Sequence, residues 1–537
     1  MGIFQFFRRE TDTDVGVLIT TTAVAGISNS ILLIVVNMAA GQVAHTAIEM
    51  QFFFIFLITF FLFVYAQHYS LTNTSVAIEK IVFRLRVRIA DKLRHAELDY
   101  IEHNGIGKLY TQLVHNSDVL SEAAMELSTI IQAALLVVVS LFYLGYLSLI
   151  ALALYCVFFG IAAYIFLHYN KEVSHKIREA RKIDATFLDT LNHILTGFKE
   201  LKFHQAKSNA VLADLRKIAS TAETLKSDTK RRQSMLMVYA RSIFYILLAV
   251  MVFVVPQFSQ TYSEQIYALV ATNLFIMGPI GMVVGMVPVL NRVNVAVNNL
   301  EILEAELDTV TSLQPKLVTT VEFNSLRLVN IGFDYQDEEG VSLFGVKNIN
   351  LDLNPGEMLF IVGGNGSGKT SFLKLFTGLY YATSGHIEWN GKKLERRDYH
   401  RYRQLFSTIF TDFHLFNKLY GLNNVTVAQV EELLKEVELT HKTGYQAGQF
   451  THTDLSTGQR KRLAFISAYL EDKPIYIFDE LAADQDPQFR RRFYEEILPG
   501  LKAKGKTIVA VTHDDKYFGV ADRVLKMDNG QLQAYTE

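Results

Sequence analysis

A single cysteine, Cys156, among 537 residues excludes an internal disulfide framework and every cysteine-clustered zinc site. Net charge is almost absent as well: 52 Lys plus Arg stand against 54 Asp plus Glu, a formal balance of −2, so no bulk field draws the chain to nucleic acid. None of the 15 histidines falls in an H-E-x-x-H or comparable metal spacing, which argues against a transition-metal centre. Charged residues make up only 20% of the chain and are spread unevenly. The first half contains long charge-free apolar runs, and the second reads as a soluble α/β domain.

A bilayer core about 30 Å thick needs roughly 20 apolar residues per helix, because backbone in lipid must satisfy its own hydrogen bonds. Val15 to about Met38 carries no charge, and neither does the Phe-rich run from Gln51 to about Thr72. Between Glu126 and Lys171 the chain is uncharged for twice the length of one helix, with Gly145 and Ser148 near the middle, which predicts a tight hairpin of two spans. From Arg241 to Arg292 only the polar stretch Gln257 to Gln265, holding Glu264, interrupts another apolar pair. The predicted spans are about 15–38, 51–72, 127–146, 148–169, 241–257 and 265–290, in a domain of residues 1–315 that precedes a domain of residues 316–537.

Lys and Arg sort by side. Arg8 and Arg9 precede the first run, residues from Lys80 to Lys108 separate the second and third, and residues from Lys171 to Arg232 separate the fourth and fifth. The other connections have no Lys or Arg, so both termini and both long connections are expected in the cytoplasm. The first run is longer than the core of a signal peptide. The long connections keep helical spacing, as in Ile81, Leu85, Ile89 and Leu93, so the spans are expected to continue as helices and fold back far below the bilayer. The expected turns are Asn104 to Gly107 with Gln112 to Val119, and Phe187 to Thr196.

From about Val321 the pattern changes to short β-rich runs, Leu326 to Phe333, Val346 to Leu353 and Met358 to Val362. Immediately after the last comes Gly363-Gly364-Asn365-Gly366-Ser367-Gly368-Lys369-Thr370, followed by Ser371 and a helical pattern. This complete G-x-x-x-x-G-K-S/T spacing between strand and helix marks a phosphate-binding loop. Glycines let backbone N–H groups converge on phosphate oxygens, and the helix N-terminus adds a favourable dipole. Gly363, Asn365, Gly366, Ser367, Gly368, Lys369, Thr370 and Ser371 are the candidate nucleotide contacts, with the Lys369 charge on the β- and γ-phosphates and the Thr370 hydroxyl on Mg²⁺.

Ile475 to Glu480 reads as a buried strand ending in two acids. Asp479 can hold the metal, and Glu480 can orient or deprotonate the attacking water. A further strand, Thr507 to Val511, ends at Thr512-His513, where the histidine can reach a γ-phosphate.

Leu455-Ser456-Thr457-Gly458-Gln459 precedes an amphipathic helix, Arg460 to Leu470. With this segment the chain resembles the ATP-binding cassette (ABC) superfamily, whose signature is usually written L-S-G-G-Q; Thr457 replaces the first glycine. Six spans followed by one nucleotide domain resemble the half-transporter exporter plan. The resemblance implies a membrane all-α six-helix exporter domain followed by an α/β P-loop nucleotide-binding domain, in a bacterial inner membrane. It also implies ATP and Mg²⁺ as cofactors and a homodimer in contact with membrane lipids, in which the signature of one subunit (Ser456, Gly458, Gln459) closes over ATP on the other. It assigns Tyr335 to stacking on adenine, Asp486 to the D-loop contact with the partner, and the two turn segments to coupling helices. Where such cassettes carry a metal-touching glutamine, this chain reads Phe410-Thr411-Asp412-Phe413, leaving Thr411 or Asp412 as the substitute oxygen donor to the metal.

The run Leu481-Ala482-Ala483-Asp484-Gln485-Asp486-Pro487, with Thr411 to Phe416 and His513 to Phe518, resembles the branch that exports cyclic or modified peptides and siderophore precursors. With about 14 residues ahead of the first run, no leader peptidase domain is expected and the cargo should arrive processed. A lipid or lipopolysaccharide flippase, or an ATP-gated sensor without net transport, has the same outline. Polar residues on the spans (Thr22, Asn29, Asn37 and Asn273) read either as a substrate cavity or as interhelix packing.

Overall fold

A computed structural model describes residues 3–10, 15–43, 50–257, 266–310, 321–336 and 342–535. The chain forms two compact units, one of Met1–Ile89 with Tyr110–Leu303, the other of Ala90–Leu109 with Glu304–Glu537. A piece of the N-terminal half, residues 90–109, therefore belongs to the C-terminal unit. The expected boundary at 315/316 and the polar connection 258–265 fall outside the described residues.

The N-terminal half is helical: α1 (Ile3–Glu10), α2 (Val15–Val43), α3 (Met50–Arg94), α4 (Leu98–Asn104), α5 (Ile106–Leu147), α6 (Leu149–Thr196), α7 (Phe198–Phe203), α8 (Gln205–Ala249), α9 (Ile266–Gly285) and α10 (Val287–Val310). Among the described residues, Gly16–Ala40, Met50–Arg94, Ile106–Leu147 and Ile266–Val310 are long and apolar enough to cross a membrane, and Leu149–Ile165 and Arg241–Gln257 are shorter apolar helices. At 1.5 Å per residue, the 45 residues of α3 span about 67 Å, over twice the hydrocarbon thickness. The Ser148 hydroxyl accepts from Ala151 N–H and starts α6, which makes the tight hairpin predicted at that point. Beyond α8 the helix widens to a π turn at Val250–Val254 and then tightens at Val255–Gln257. Pro256 explains the change, since it lacks an N–H and its ring crowds the carbonyl four residues back.

Inside this unit Thr22, Asn37 and Asn273 are engaged in contacts between helices. Thr22 and Ser70 hydroxyls lie 2.6 Å apart and Ser70 and Ser128 2.9 Å apart, joining α2, α3 and α5. Asn37 Nδ2 donates to Ala268 O at 3.0 Å and Thr272 Oγ1 at 3.2 Å, and Tyr155 donates to Asn273 Oδ1. A Cβ on Gly26 would sit 3.2 Å from Gln132 O, so α2 and α5 approach at a small residue. The packing reading of these residues is the one the contacts support. Asn37→Ala should lower the stability of the detergent-solubilised protein by about 0.6–2 kcal/mol, read from a thermal melt. An unchanged melt would remove Asn37 from the list of structural anchors.

The first expected turn, Asn104 to Gly107, is where α4 gives way to α5, but the other expected turn segments do not turn. Residues 112–119 lie inside α5 and 187–196 inside α6. The chain turns through α4, which ends at Gly105 with φ +75° inside the expected 104–107 turn, and through α7, which follows Gly197. A left-handed residue after a helix cannot continue it, so Gly105 rather than the downstream helical stretch sets the fold-back.

The C-terminal unit is α/β. A six-stranded sheet runs β12-β11-β3-β10-β9-β6 and an antiparallel sheet runs β2-β1-β4-β5, with β7 and β8 paired separately. The strands are β1 (Leu326–Gln336), β2 (Ser342–Leu353), β3 (Met358–Val362), β4 (Ser384–Trp389), β5 (Lys392–Lys393), β6 (Phe406–Ile409), β7 (Tyr445–Gln446), β8 (Gln449–Phe450), β9 (Ile475–Asp479), β10 (Thr507–Val511), β11 (Arg523–Asp528) and β12 (Gln531–Ala534). β3, β9 and β10 are buried along their whole length, as central parallel strands must be. Helices follow at Lys369–Phe376 (α11), Tyr399–Arg403 (α12), Val427–Glu436 (α13), Thr457–Leu470 (α14), Pro487–Arg492 (α15) and Leu498–Ala503 (α16).

Short helix α4 is fastened within this unit. Glu97 takes Arg403 Nη2 at 2.6 Å and the Tyr381 hydroxyl at 2.6 Å, and Glu102 takes Lys374 Nζ at 2.6 Å and the Tyr380 hydroxyl. Leu98 packs against the core that carries Phe372 and Tyr402. Burial and the Glu97 carboxylate push the Tyr381 hydroxyl up to about 12, so it stays a donor throughout the physiological range.

Candidate functional site

The site lies where the parallel strands end. From β3 the chain enters the loop 363–368, in which Gly363, Gly366 and Gly368 hold φ of +153°, +78° and +102°. A Cβ at Gly363 would fall 2.3 Å from Met527 O, so a side chain there is excluded by backbone. Helix α11 starts at Lys369 behind Gly368, which supplies no side-chain cap, so the first-turn N–H groups face the loop. Lys369 Nζ donates to Gly363 O at 3.0 Å and Gly364 O at 3.1 Å, and stands 3.6 Å from Glu480 Oε1.

Asp479 at the end of β9 accepts from the hydroxyls of Thr370 and Thr411, both at 2.9 Å on Oδ2. Among the described residues, its Oδ1 and the Ser367 hydroxyl are buried without hydrogen-bond partners. Burial raises the Asp479 pKa above the usual carboxylate range and the Glu480 charge adds to this, while the Thr411 and Thr370 bonds pull the other way. A carboxylate oxygen with no partner beside two hydroxyls is an all-oxygen donor set, which fits a hard divalent ion such as Mg²⁺. Of the two substitutes for the usual glutamine, Thr411 reaches Asp479. Asp412 is exposed and makes none of the described hydrogen bonds to Asp479.

Glu480 follows with φ +51°, in the left-handed region that a residue with a Cβ seldom enters. Its N–H donates to Val511 O at 3.2 Å, and Oε1 lies 3.0 Å from His513 Nε2. The parallel pairing of β9 with β10 brings these two strand-end residues together. His513, expected as a γ-phosphate sensor, is thus also a partner of Glu480.

Tyr335, at the end of β1, donates to the Tyr380 hydroxyl at 3.1 Å and lies 3.2 Å from Ser371 Oγ. Ser456 caps α14: its hydroxyl accepts from Gln459 N–H, and Gln459 Oε1 accepts from Ser456 N–H. Thr457 occupies the exposed first position of α14 with ordinary negative φ, so the missing glycine costs the backbone nothing. Gly458 is different, since a Cβ there would meet Asp484 O at 2.5 Å. Among the described residues no hydrogen bond joins 456–459 to the loop 363–370 of the same chain.

Asp486 caps α15 through Gln488 and Phe489 N–H and binds Arg462; the Phe489 N–H and the Arg462 charge outweigh its slight burial and lower its pKa. Sequence reasoning missed Lys461, Arg462 and Gln485, which tie α14 to the segment after Glu480, and it missed the α4 sockets Tyr380, Tyr381 and Arg403. Gly197 was the available signal for the second fold-back; Lys461 and Arg462 offered none, because charges on an amphipathic helix ordinarily face water.

A phosphate loop, a buried acid with two hydroxyls, and a general-base candidate at adjoining strand ends define a nucleotide hydrolase site carried by a chain with apolar spanning helices. The ABC transporter family profile matches residues 346–483. The chain is 33% identical over 479 residues to the ATP-binding protein SyrD of Pseudomonas syringae pv. syringae, which covers 84% of this chain and 82% of that protein. This protein belongs to the ABC transporter family, and it is an ATP-binding exporter whose ATP hydrolysis is coupled to membrane transport. It is also 23% identical over 478 residues to an ATP-dependent lipid A-core flippase of Aliivibrio fischeri, covering 84% and 79% of the two chains. Its fold is shared with a bacterial Atm1-family ABC exporter with ATP bound, at a TM-score of 0.76 and 16% identity, covering 98% of this chain and 95% of that one.

Proposed function

We propose that two copies of this chain form an exporter with two composite ATP sites, which moves a cyclic or modified peptide, or a siderophore precursor, out of the cytoplasm. The observation that carries the dimer is that, among the described residues, no hydrogen bond joins the Ser456–Gln459 cap to its own loop 363–370, which leaves the cap available to a second chain. Lys369 and the α11 amides bind the phosphates, and Tyr335 and Ser371 lie at the edge where a base would sit. Thr370, Asp479 and Thr411 would hold Mg²⁺, which when bound neutralises charge on the phosphate oxygens. Glu480 accepts the proton of the attacking water, and His513 fixes its carboxylate. Both termini lie in the cytoplasm of a bacterial inner membrane, in line with the Lys and Arg distribution.

The substrate class is supported by the departures at 411–416, 481–487 and 513–518. Lipid flipping is the second reading, favoured by the flippase likeness over 84% of the chain. Inside-out proteoliposomes distinguish them. ATP-dependent accumulation of a labelled cyclic peptide is the expected result, whereas movement of labelled lipid without peptide uptake would replace the first reading by the second.

A further inference from the structure

Lys461 is 2% exposed on helix α14, one of the largest fully buried side chains among the described residues. A buried ammonium must be paired, and a methionine would fill the same space without that requirement. Its partners are specific. Nζ donates to the Glu480 carbonyl oxygen at 2.8 Å and stands 2.7 Å from Asp484 Oδ2. The neighbouring residues repeat the connection: Arg462 Nε donates to Gln485 Oε1 at 2.8 Å, its guanidinium lies 4.0 Å from the centre of the Phe489 ring, and Gln485 Nε2 donates to Gly458 O at 2.9 Å. Residues 458–462 and 484–486 are thus stitched together next to the peptide of Glu480.

We propose that Lys461 is a positioning residue for hydrolysis, holding the left-handed peptide of Glu480 from the signature helix of the same chain, with Asp484 neutralising its charge. The inference rests on the composite-site reading above and deepens it. Glu480 is held at its N–H by Val511 and at its carbonyl by Lys461 at 2.8 Å and, more weakly, by Ala483 N–H at 3.3 Å, while its carboxylate is left for His513 and Lys369. Helix α14 is capped by Ser456, which would meet ATP bound by the partner, and about one turn into the helix presents Lys461 to its own Glu480. Engagement of the signature at one site is thereby conveyed to the base of the other, without passing through the nucleotide loop.

The test uses the full-length protein in detergent or nanodiscs, with ATP turnover, ATP KM, nucleotide affinity and thermal melting measured together. Lys461→Met removes the ammonium that makes both contacts and should lower kcat by about 10²-fold, the scale of a roughly 1 Å misplacement, with KM and nucleotide affinity unchanged. Lys461→Gln, whose amide can still donate to the Glu480 carbonyl, should recover part of the loss. Asp484→Asn, which alters only the half-exposed partner, should show a smaller loss in kcat alone and carries the test should Lys461→Met fail to fold. The proposal is overturned if the Lys461 variants turn over at full rate. It is equally overturned if kcat, nucleotide affinity and melting temperature fall in parallel, the pattern of a purely packing role. Glu480→Gln is run alongside: if that variant keeps full rate, the general-base assignment fails and this inference with it, whereas an inactive Glu480→Gln beside a fully active Lys461→Met sinks this inference alone.

Discussion

Glu480→Gln should cut steady-state ATP hydrolysis by about 10²–10⁴-fold, the usual worth of a positioned general base, while nucleotide affinity is retained. The amide keeps the shape of the carboxylate and can still accept from His513 Nε2, now 3.0 Å from Oε1, but it cannot take a proton from water. With hydrolysis blocked and binding intact, the closed pair of nucleotide domains should accumulate on addition of ATP, measurable as a crosslinking or spin-label distance change. His513→Ala should follow in the same direction with a smaller loss, because it removes the group that orients the base and leaves the base in place. Full-rate hydrolysis by the Glu480 variant, with ATP bound normally, would require a different water-activating group.

The second large effect concerns transport. The double variant Glu97→Ala/Glu102→Ala should lower peptide flux by roughly tenfold or more while ATPase activity persists. Removing a charged hydrogen-bond partner costs about 1.5–3 kcal/mol each, and the lower end applies to Glu102, whose side chain is 37% exposed. About 1.4 kcal/mol already corresponds to a factor of ten. The reasoning is one of connectivity. Helix α4 is continuous by backbone with α3 and α5, which run on into the apolar spans, and its acids hold Arg403, Tyr381, Lys374 and Tyr380. Loosening those bonds leaves the hydrolytic residues 363–370, 479–480 and 513 untouched. A parallel loss of ATPase and flux would place these acids in the stability of the nucleotide domain, and no change in either would remove α4 from the route of coupling.

The nucleotide loop was legible in the sequence because its requirements are local. Positive φ at Gly363, Gly366 and Gly368 and a lysine at the start of α11 follow from seven or eight consecutive residues. The strands β3, β9 and β10 were legible for a similar reason, since a fully buried parallel strand is an unbroken apolar run. The choice between Thr411 and Asp412 was not legible: the residues are adjacent beyond β6, and which side chain reaches Asp479 depends on how the chain leaves the strand. The first fold-back was legible at Asn104 to Gly107, where Gly105 stops the helix, but helical periodicity persists on both sides of it, so the added stretch 112–119 was read too far along and the second turn, 187–196, too early, before the break at Gly197. The Lys461–Asp484 pair unites residues on a helix and a loop separated by β9, a contact that no spacing rule reaches.

The grouping of residues 90–109 with the C-terminal unit also constrains how the molecule can be recombined. A chimera that joins this nucleotide domain to a relative's membrane half at residue 304 would leave Arg403, Tyr381 and Lys374 facing a foreign hairpin tip. Such hybrids should regain function when the 90–109 tip is exchanged together with the nucleotide domain, so the transplantable module is discontinuous in sequence.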